Sequence, residues 1–202
     1  NGGNDNIDSF NKVSDLTDII KIYSSNTAFA ALDINGRVHV WGNQYYGGLI
    51  AIDGFGTKIY SAYNLVEIYS TDKSFAGITP EGTVVVWGDG TYGGNLALRP
   101  ASLSTGSRVK QIYTTRGAFT ALKYDGSIVV WGNNEYGGDN TTEIQELTNV
   151  KEIYSTAKAF AALKYDGTVY AWGDNNYGGE NAVLYTSNLS NVKKIYSTER
   201  AF

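Results

Sequence analysis

The chain has 202 residues, a net charge of −4 and a pI near 5.0, a balance that argues against nucleic acid as a partner. Apolar residues make up 42% and charged residues 18%, which excludes a highly charged disordered chain, and no apolar run approaches the roughly 20 residues that span a membrane. Cysteine is absent, which excludes disulfides and thiolate metal sites.

Two strand motifs recur along the chain in a fixed order. The first is Ile-Tyr followed by Ser or Thr, in a stretch where residues alternate as in a strand. The second is Ala-Phe or Ser-Phe four residues later, which opens a short apolar run and predicts another strand. The first motif begins at Ile22, Ile68, Ile112, Ile153 and Ile195, and the second contains Phe29, Phe75, Phe119, Phe160 and Phe202.

A third strand is predicted in each complete copy, after a turn that contains Asn-Gly, Glu-Gly or Asp-Gly. Such a pair favours a tight hairpin because its residues adopt positive φ readily. The third strand is apolar on both faces, as with Val84 and Val86 against Val85, so we predict that stacked sheets bury it on both sides. It ends in Trp-Gly, at Trp41-Gly42, Trp87-Gly88, Trp131-Gly132 and Trp172-Gly173, and successive Trp residues are 46, 44 and 41 positions apart.

A glycine-rich loop closes each unit. Its sequence is Tyr-Gly-Gly, and a further Gly-Gly pair without Tyr lies at residues 2–3. The segments after the loops vary from 11 to 17 residues, which places the length variation of the array at one point of the unit. The loop tyrosines are Tyr46, Tyr92, Tyr136 and Tyr177.

The motifs divide the chain into four complete units and a partial unit at each end. A period in the low forties with three or four short strands predicts an all-β tandem array of β-propeller blades, incomplete or open as it stands here. The alternative is a β-solenoid, although its coils are usually nearer roughly 20–30 residues. The predicted boundaries are 1–21 (partial), 22–67, 68–111, 112–152, 153–194 and 195–202 (partial).

This ordered set of motifs resembles the RCC1 (regulator of chromosome condensation) repeat family along the whole chain. The units have nearly identical sequences, and in this the chain is similar to RCC1-like arrays in large secreted or surface proteins of bacteria. The resemblance implies a propeller with four-stranded blades, commonly seven, which four units and a fraction do not complete. Two departures stand out: Tyr-Gly-Gly replaces the usual Gly-Gln-x-Gly, and Ala or Ser replaces the usual His before the second strand.

Two sets of aromatic residues are candidates for function. We expect the four Trp-Gly pairs to be structural hallmarks packed between sheets, with an aromatic platform for sugars as the alternative. The four loop tyrosines are the better candidates for a binding surface, because binding residues often lie in loops. The alternative for these tyrosines is that they cover the edges of the blades.

Metal binding and catalysis find little support in the sequence. Asp139, Asp174 and Glu180 lie beside Gly-Gly loops and are the calcium candidates. Acidic ligands do not recur there as a set, so we expect these residues to be polar turn residues. We expect no bound metal or cofactor. The single histidine, His39, lies near Trp41 on a predicted strand. No Ser/His/Asp spacing or phosphate-binding loop is visible, so we predict no catalytic residue and no enzymatic activity.

We therefore predict a non-catalytic structural or interaction module. It would be a segment of a larger, extracellular or surface protein that makes protein–protein or adhesive contacts, including self-assembly through the open ends of the array. One alternative is a glycan-binding propeller. Another, which the resemblance alone implies, is an intracellular regulator of the RCC1 type that acts in guanine-nucleotide exchange or chromatin binding.

Overall fold

The computed structural model describes residues 16–49, 64–95, 99–104, 106–179 and 189–202, together with the backbone of three short strands between residues 51 and 62. The Gly-Gly pair at residues 2–3 lies outside the described residues. Among the residues described, no helix has the length and apolar character needed to cross a membrane.

Each complete unit contains an antiparallel three-stranded meander, as predicted, and the sheet of the first unit has a fourth, short strand beside its third. The strands of the first unit are β1 (Ile19–Ser24), β2 (Ala28–Asp33) and β3 (Val38–Gly42), followed by the short β4 (Ala51–Ile52), β5 (Lys58–Ile59) and β6 (Ser61–Ala62). The later units contain β7 (Glu67–Ser70), β8 (Ser74–Ile78), β9 (Val84–Gly88), β10 (Val109–Thr114), β11 (Ala118–Lys123), β12 (Ile128–Gly132), β13 (Val150–Ser155), β14 (Ala159–Lys164) and β15 (Val169–Gly173).

Short helical segments lie after the third strands. A 3-10 turn contains each loop tyrosine, at Gln44–Tyr46, Gly90–Tyr92, Asn134–Tyr136 and Asn175–Tyr177, and a further one lies at Ala101–Leu103. The only α-helix of the described residues is α1 (Thr142–Gln145), which the sequence pattern did not indicate. Ile144 and Leu147 are buried there and join the apolar cluster between the third and fourth units.

The two faces of β12 pack into two different apolar clusters. Val129 and Trp131 join the cluster shared with the second unit. Ile128 and Val130 join the cluster shared with the fourth unit. The prediction that this strand is buried on both sides is therefore confirmed, and the sheets stack face to face along the array, as propeller blades do.

The chain reverses direction at two opposite ends of each sheet. The turns between first and second strands lie beside the 3-10 turns, since the hydroxyls of Thr115 and Thr156 donate hydrogen bonds to the carbonyls of Tyr136 and Tyr177 at 2.8 and 2.9 Å. We call this end the tyrosine face. The turns between second and third strands, at residues 34–37, 79–83, 124–127 and 165–168, form the opposite end, the hairpin face.

A ladder of backbone hydrogen bonds joins the units on the tyrosine face. In each step, the N–H of one turn donates to the carbonyl of the equivalent turn in the next unit. The donors and acceptors are Asn26 to Asp72 (2.9 Å), Asp72 to Arg116 (2.8 Å), Arg116 to Ala157 (3.0 Å) and Ala157 to Glu199 (2.9 Å). The ladder fixes the relative position of five consecutive turns.

Candidate interaction surfaces

The Trp-Gly pairs lie between neighbouring sheets. Trp87, Trp131 and Trp172 are buried, whereas Trp41 in the first unit is partly exposed. Each indole stacks on the cross-strand Phe of its own unit, with ring centroids 5.0–5.4 Å apart. The indole N–H groups of Trp131 and Trp172 also donate to carbonyls of the preceding unit. These positions leave the buried rings no room to hold a sugar.

The glycine after each Trp allows two strands to approach closely. Gly132 has a φ of +117°, and a Cβ added there would lie 2.8 Å from the Cα of Ala118. Any side chain would therefore be strained by conformation and by contact with backbone. The same arrangement recurs at Gly42, Gly88 and Gly173.

The Tyr-Gly-Gly loop of one unit packs on the aromatic pair of the next. A Cβ added to Gly93 would lie 2.9 Å from Trp131 and 3.0 Å from Phe119. The loop follows a 3-10 turn capped by Asp89, whose side chain accepts the N–H of Thr91. The loop is thus part of the contact between units as well as of the surface.

Cations lie against the four predicted tyrosines, all of which are half-buried. The Lys73 ammonium is 5.2 Å from the ring centroid of Tyr46 and 4.6 Å from that of Tyr92. The Lys158 ammonium is 5.1 Å from Tyr136 and 5.2 Å from Tyr177. Each Lys therefore bridges the tyrosines of two successive units by cation–π contacts.

Gly117 occupies the place of Lys73 and Lys158 in the third unit. There the rings of Tyr92 and Tyr136 contact each other directly, with centroids 5.8 Å apart. A Cβ on Gly117 would lie 2.7 Å from the Tyr136 ring, so the absence of a side chain permits this contact. Burial and the neighbouring Tyr92 raise the pKa of Tyr136. The row of tyrosines is thus continuous and already engaged within the protein.

The described calcium candidates do not form a cluster of metal ligands, and Asp174 has another role. Asp174 caps a 3-10 turn by accepting the N–H of Asn176 at 2.9 Å, and its carboxylate lies 3.6 Å from the Lys158 ammonium. Asp139 is exposed, and Glu180 lies outside the described residues. Over the described part of the chain, no three His, Asp or Glu side chains gather as metal ligands would. The capping role of Asp174 is shared by Asn43, Asp89 and Asn133.

His39, which is partly buried, forms a pair with the buried Asp33. The ring Nε2 is 3.1 Å from an Asp33 carboxylate oxygen, and that carboxylate also accepts the N–H groups of Asn35 and Arg37. Burial favours the neutral acid, but these donors and the histidine hold the pKa of Asp33 below its ordinary value. The equivalent of His39 is Val129 in the third unit, so the pair is local to the first unit.

The hairpin face carries exposed apolar residues that sequence reasoning missed. Ile34, Tyr124 and Tyr165 are 69%, 68% and 71% exposed, and Pro80 is exposed at the same turn position. Each residue directly precedes the Asn-Gly, Glu-Gly or Asp-Gly pair of its hairpin. That position was the available signal, because a residue at the tip of a hairpin projects from the sheet. These side chains are more accessible than the predicted tyrosines.

A cavity of about 330 Å³ lies beside the backbone ladder on the tyrosine face. The residues that line it include Ser70, Asp72, Thr114 and Arg116. The Arg116 guanidinium is paired with Glu199 at 2.8 Å, and both side chains are more than half exposed. The cavity is therefore polar and open.

Residues 150–178 match the family model for the regulator of chromosome condensation (RCC1) repeat. The resemblance to RCC1 repeats is confirmed. This segment contains β13, β14, β15 and the following tyrosine turn, and it ends one residue before the second glycine of the Tyr-Gly-Gly motif. No curated protein matches the chain.

Solved RCC1 structures share the fold. Prp20p from Saccharomyces cerevisiae is 22% identical over 77% of this chain and 43% of its own, with a TM-score of 0.52. Yeast RCC1 (Prp20) in a complex with Kap60 is 18% identical over 79% of this chain and 44% of its own, with a TM-score of 0.54. The CRINKLY WD40 ectodomain of the Arabidopsis thaliana receptor kinase ACR4 is 12% identical over 82% of this chain and 55% of its own, with a TM-score of 0.51. The RCC1-like array thus spans less than half of the yeast proteins.

Proposed function

We propose that the RCC1-like array is a non-catalytic protein-interaction module whose hairpin face binds the partner. The observation that carries this proposal is the exposure of Ile34, Tyr124 and Tyr165 at one turn position of the first, third and fourth units. The second unit carries the exposed Pro80 at that position. Large apolar side chains at such tips add nothing to the core, and tyrosine is enriched where proteins meet. A repeated array turns single exposed residues into a broad surface.

The tyrosine face fits the glycan alternative poorly. A sugar stacks on an aromatic ring only where a face of the ring is free. The rings of Tyr92 and Tyr136 contact each other, and each also lies against a lysine. These tyrosines are better explained as bridges between units.

Similar structures support binding of macromolecules. Prp20p is described by its binding to Gsp1p and histones, and yeast RCC1 has been solved with Kap60 bound. The ACR4 relative is the ectodomain of a receptor kinase. We place this chain at the cell surface, supported by the likeness of its units to secreted arrays and by this ectodomain fold. The alternative of an intracellular exchange factor or chromatin binder is favoured by the match to the RCC1 repeat model and by the similarity to the yeast RCC1 structures.

A site-specific photo-crosslinker tests the binding face. Benzoyl-phenylalanine is introduced at Tyr124 or Tyr165 of the full-length protein in its own cells, with Tyr45 as the control. Tyr45 is 70% exposed and lies on the opposite face. We expect the same adduct from positions 124 and 165 and none from 45. Equal labelling from all three positions, or none from 124 and 165, contradicts the proposal.

A further inference from the structure

Two cavities flank the Tyr124 turn on the hairpin face. Their volumes are about 490 and 290 Å³, and Arg108 and Tyr124 line both. Lys110 lines the larger cavity and Lys123 the smaller. Three cationic residues therefore line the two cavities beside one exposed aromatic residue.

These cations form no close ion pair. Arg108, Lys110 and Lys123 have no carboxylate within 4 Å among the residues that the structure describes. Of the carboxylates in the lining, Glu67 pairs at 2.6 Å with Lys21, which lies outside it. Asp125 accepts the N–H and hydroxyl of Ser127 and also attracts Lys123. Asp125 and Glu81 therefore face three cations, which leaves a small local excess of positive charge.

The same residue types recur one unit later. Lys151 on β13 and Lys164 on β14 are equivalent to Lys110 on β10 and Lys123 on β11. Tyr165 directly follows Lys164, as Tyr124 directly follows Lys123. In the first two units, the equivalents of the two lysines are Ile20 and Asp33, and Val66 and Thr79. The basic character is therefore confined to the third and fourth units, whereas exposed apolar tips occur in all four.

Backbone hydrogen bonds make the two turns parts of one rim. The N–H of Val150 donates to the carbonyl of Gly126 at 3.0 Å. The N–H of Tyr165 donates to the carbonyl of Asn149, directly before Val150, also at 3.0 Å. A ligand that follows this rim meets the Lys and Tyr side chains of both units in succession.

We propose that this rim binds an extended acidic segment of a partner protein. Carboxylates of the segment face Arg108, Lys110 and Lys123 and the lysines of the fourth unit, while Tyr124 and Tyr165 pack against its apolar residues. An acidic peptide suits the site better than nucleic acid, because the net charge of −4 repels a long polyanion and leaves only local attraction. The inference rests on the proposed binding role of the hairpin face.

Fluorescence anisotropy with defined probes tests the inference. The probe is a labelled 12-residue peptide of alternating Glu and Leu, compared with a Gln-Leu peptide and a 12-nucleotide single-stranded DNA. The variant is Lys110→Gln/Lys123→Gln. The control, Arg37→Gln/Arg200→Gln, changes the net charge equally but lies outside the rim. Thermal unfolding of both variants verifies that each is folded.

We expect the Glu-Leu peptide to bind the wild type. Its affinity for the rim variant should be at least tenfold lower, and its affinity for the control variant should be within twofold of that for the wild type. Binding also weakens between 50 and 200 mM salt, and the Gln-Leu peptide does not bind. Equal loss in both variants, no binding of the Glu-Leu peptide, or tighter binding of the DNA overturns the inference. If crosslinks from positions 124 and 165 persist when the peptide fails, only the acidic nature of the partner is refuted.

Discussion

The indole N–H of Trp131 donates a hydrogen bond to the carbonyl oxygen of Gly93, 3.3 Å away in the preceding unit. The ring that makes this bond also stacks on Phe119, and Gly93 itself packs against both rings. One side chain thus takes part in the folding of its own sheet and in the attachment of the previous one. Trp172 repeats the relationship with Gly137 at 3.2 Å.

Truncation of this side chain should destabilise the array strongly. We expect Trp131→Ala to lower the free energy of unfolding by about 3–5 kcal/mol, because a large buried ring is replaced by a cavity. Trp131→Phe keeps a stacked ring and should lose less. Urea denaturation followed by circular dichroism measures both values. An unchanged midpoint for Trp131→Ala would mean that the ring is not buried and would favour an aromatic binding platform.

A buried hydroxyl offers a stabilising substitution. Thr120 on β11 is fully buried, and its hydroxyl finds no hydrogen-bond partner among the described residues. The equivalent residues are Ala30, Ala76 and Ala161. We expect Thr120→Val to raise the free energy of unfolding by about 1 kcal/mol, because it keeps the shape and removes an unsatisfied polar group.

Denaturant midpoints of Thr120→Val and Thr120→Ala separate polarity from packing. The alanine variant also removes the hydroxyl but leaves a small void, so its gain should be smaller. A lower midpoint for the valine variant than for the wild type would show that the hydroxyl has a partner.

The lysine bridges on the tyrosine face should contribute to stability. We expect Lys158→Met to lower the free energy of unfolding by about 1 kcal/mol, since it removes the charge that faces Tyr136, Tyr177 and the Asp174 carboxylate but keeps an unbranched chain. Lys151→Met is the matched control, because Lys151 lies on the strand that leads to Lys158 and is exposed. Equal effects of the two substitutions on the thermal midpoint refute a role for the bridge.

Acid should weaken the first unit through Asp33. The pKa of this carboxyl is held below its ordinary value in the folded protein, so its ionised form contributes stability above the ordinary pKa of about 3.9. That contribution is lost as the pH falls through the lower, folded value. Urea midpoints between pH 3 and 6 should therefore decline in acid for the wild type and decline less for Asp33→Asn. Parallel profiles would exclude Asp33 as the cause.

The strands and hairpins followed from local pattern. Alternation of residue types and the Asp-Gly turns act over a few residues, so they identify β10, β11 and β12 without knowledge of the fold. The double-sided apolar character of Ile128–Gly132 likewise indicated stacked sheets. In contrast, the helix Thr142–Gln145 has only four residues, too few for a periodic pattern to emerge.

The surfaces were harder to predict because their partners come from different units. Tyr46 was singled out as a binding residue, but its neighbour Lys73 lies 27 residues later and reaches it only when the sheets stack. Tyr124 was overlooked, although its place directly before Asp125-Gly126 marks a hairpin tip. The motif pattern describes what units share, whereas binding depends on what each unit exposes.

The ladder of turns on the tyrosine face has a consequence for how such arrays diversify. Its hydrogen bonds use backbone atoms alone, and the five residues that form it are all of different types: Asn26, Asp72, Arg116, Ala157 and Glu199. Substitution at these positions alters the surface beside the cavity of about 330 Å³, including the Arg116–Glu199 ion pair, and leaves the backbone linkage intact. New recognition residues can therefore be introduced at one position per unit while the hydrogen bonds that join the turns are kept.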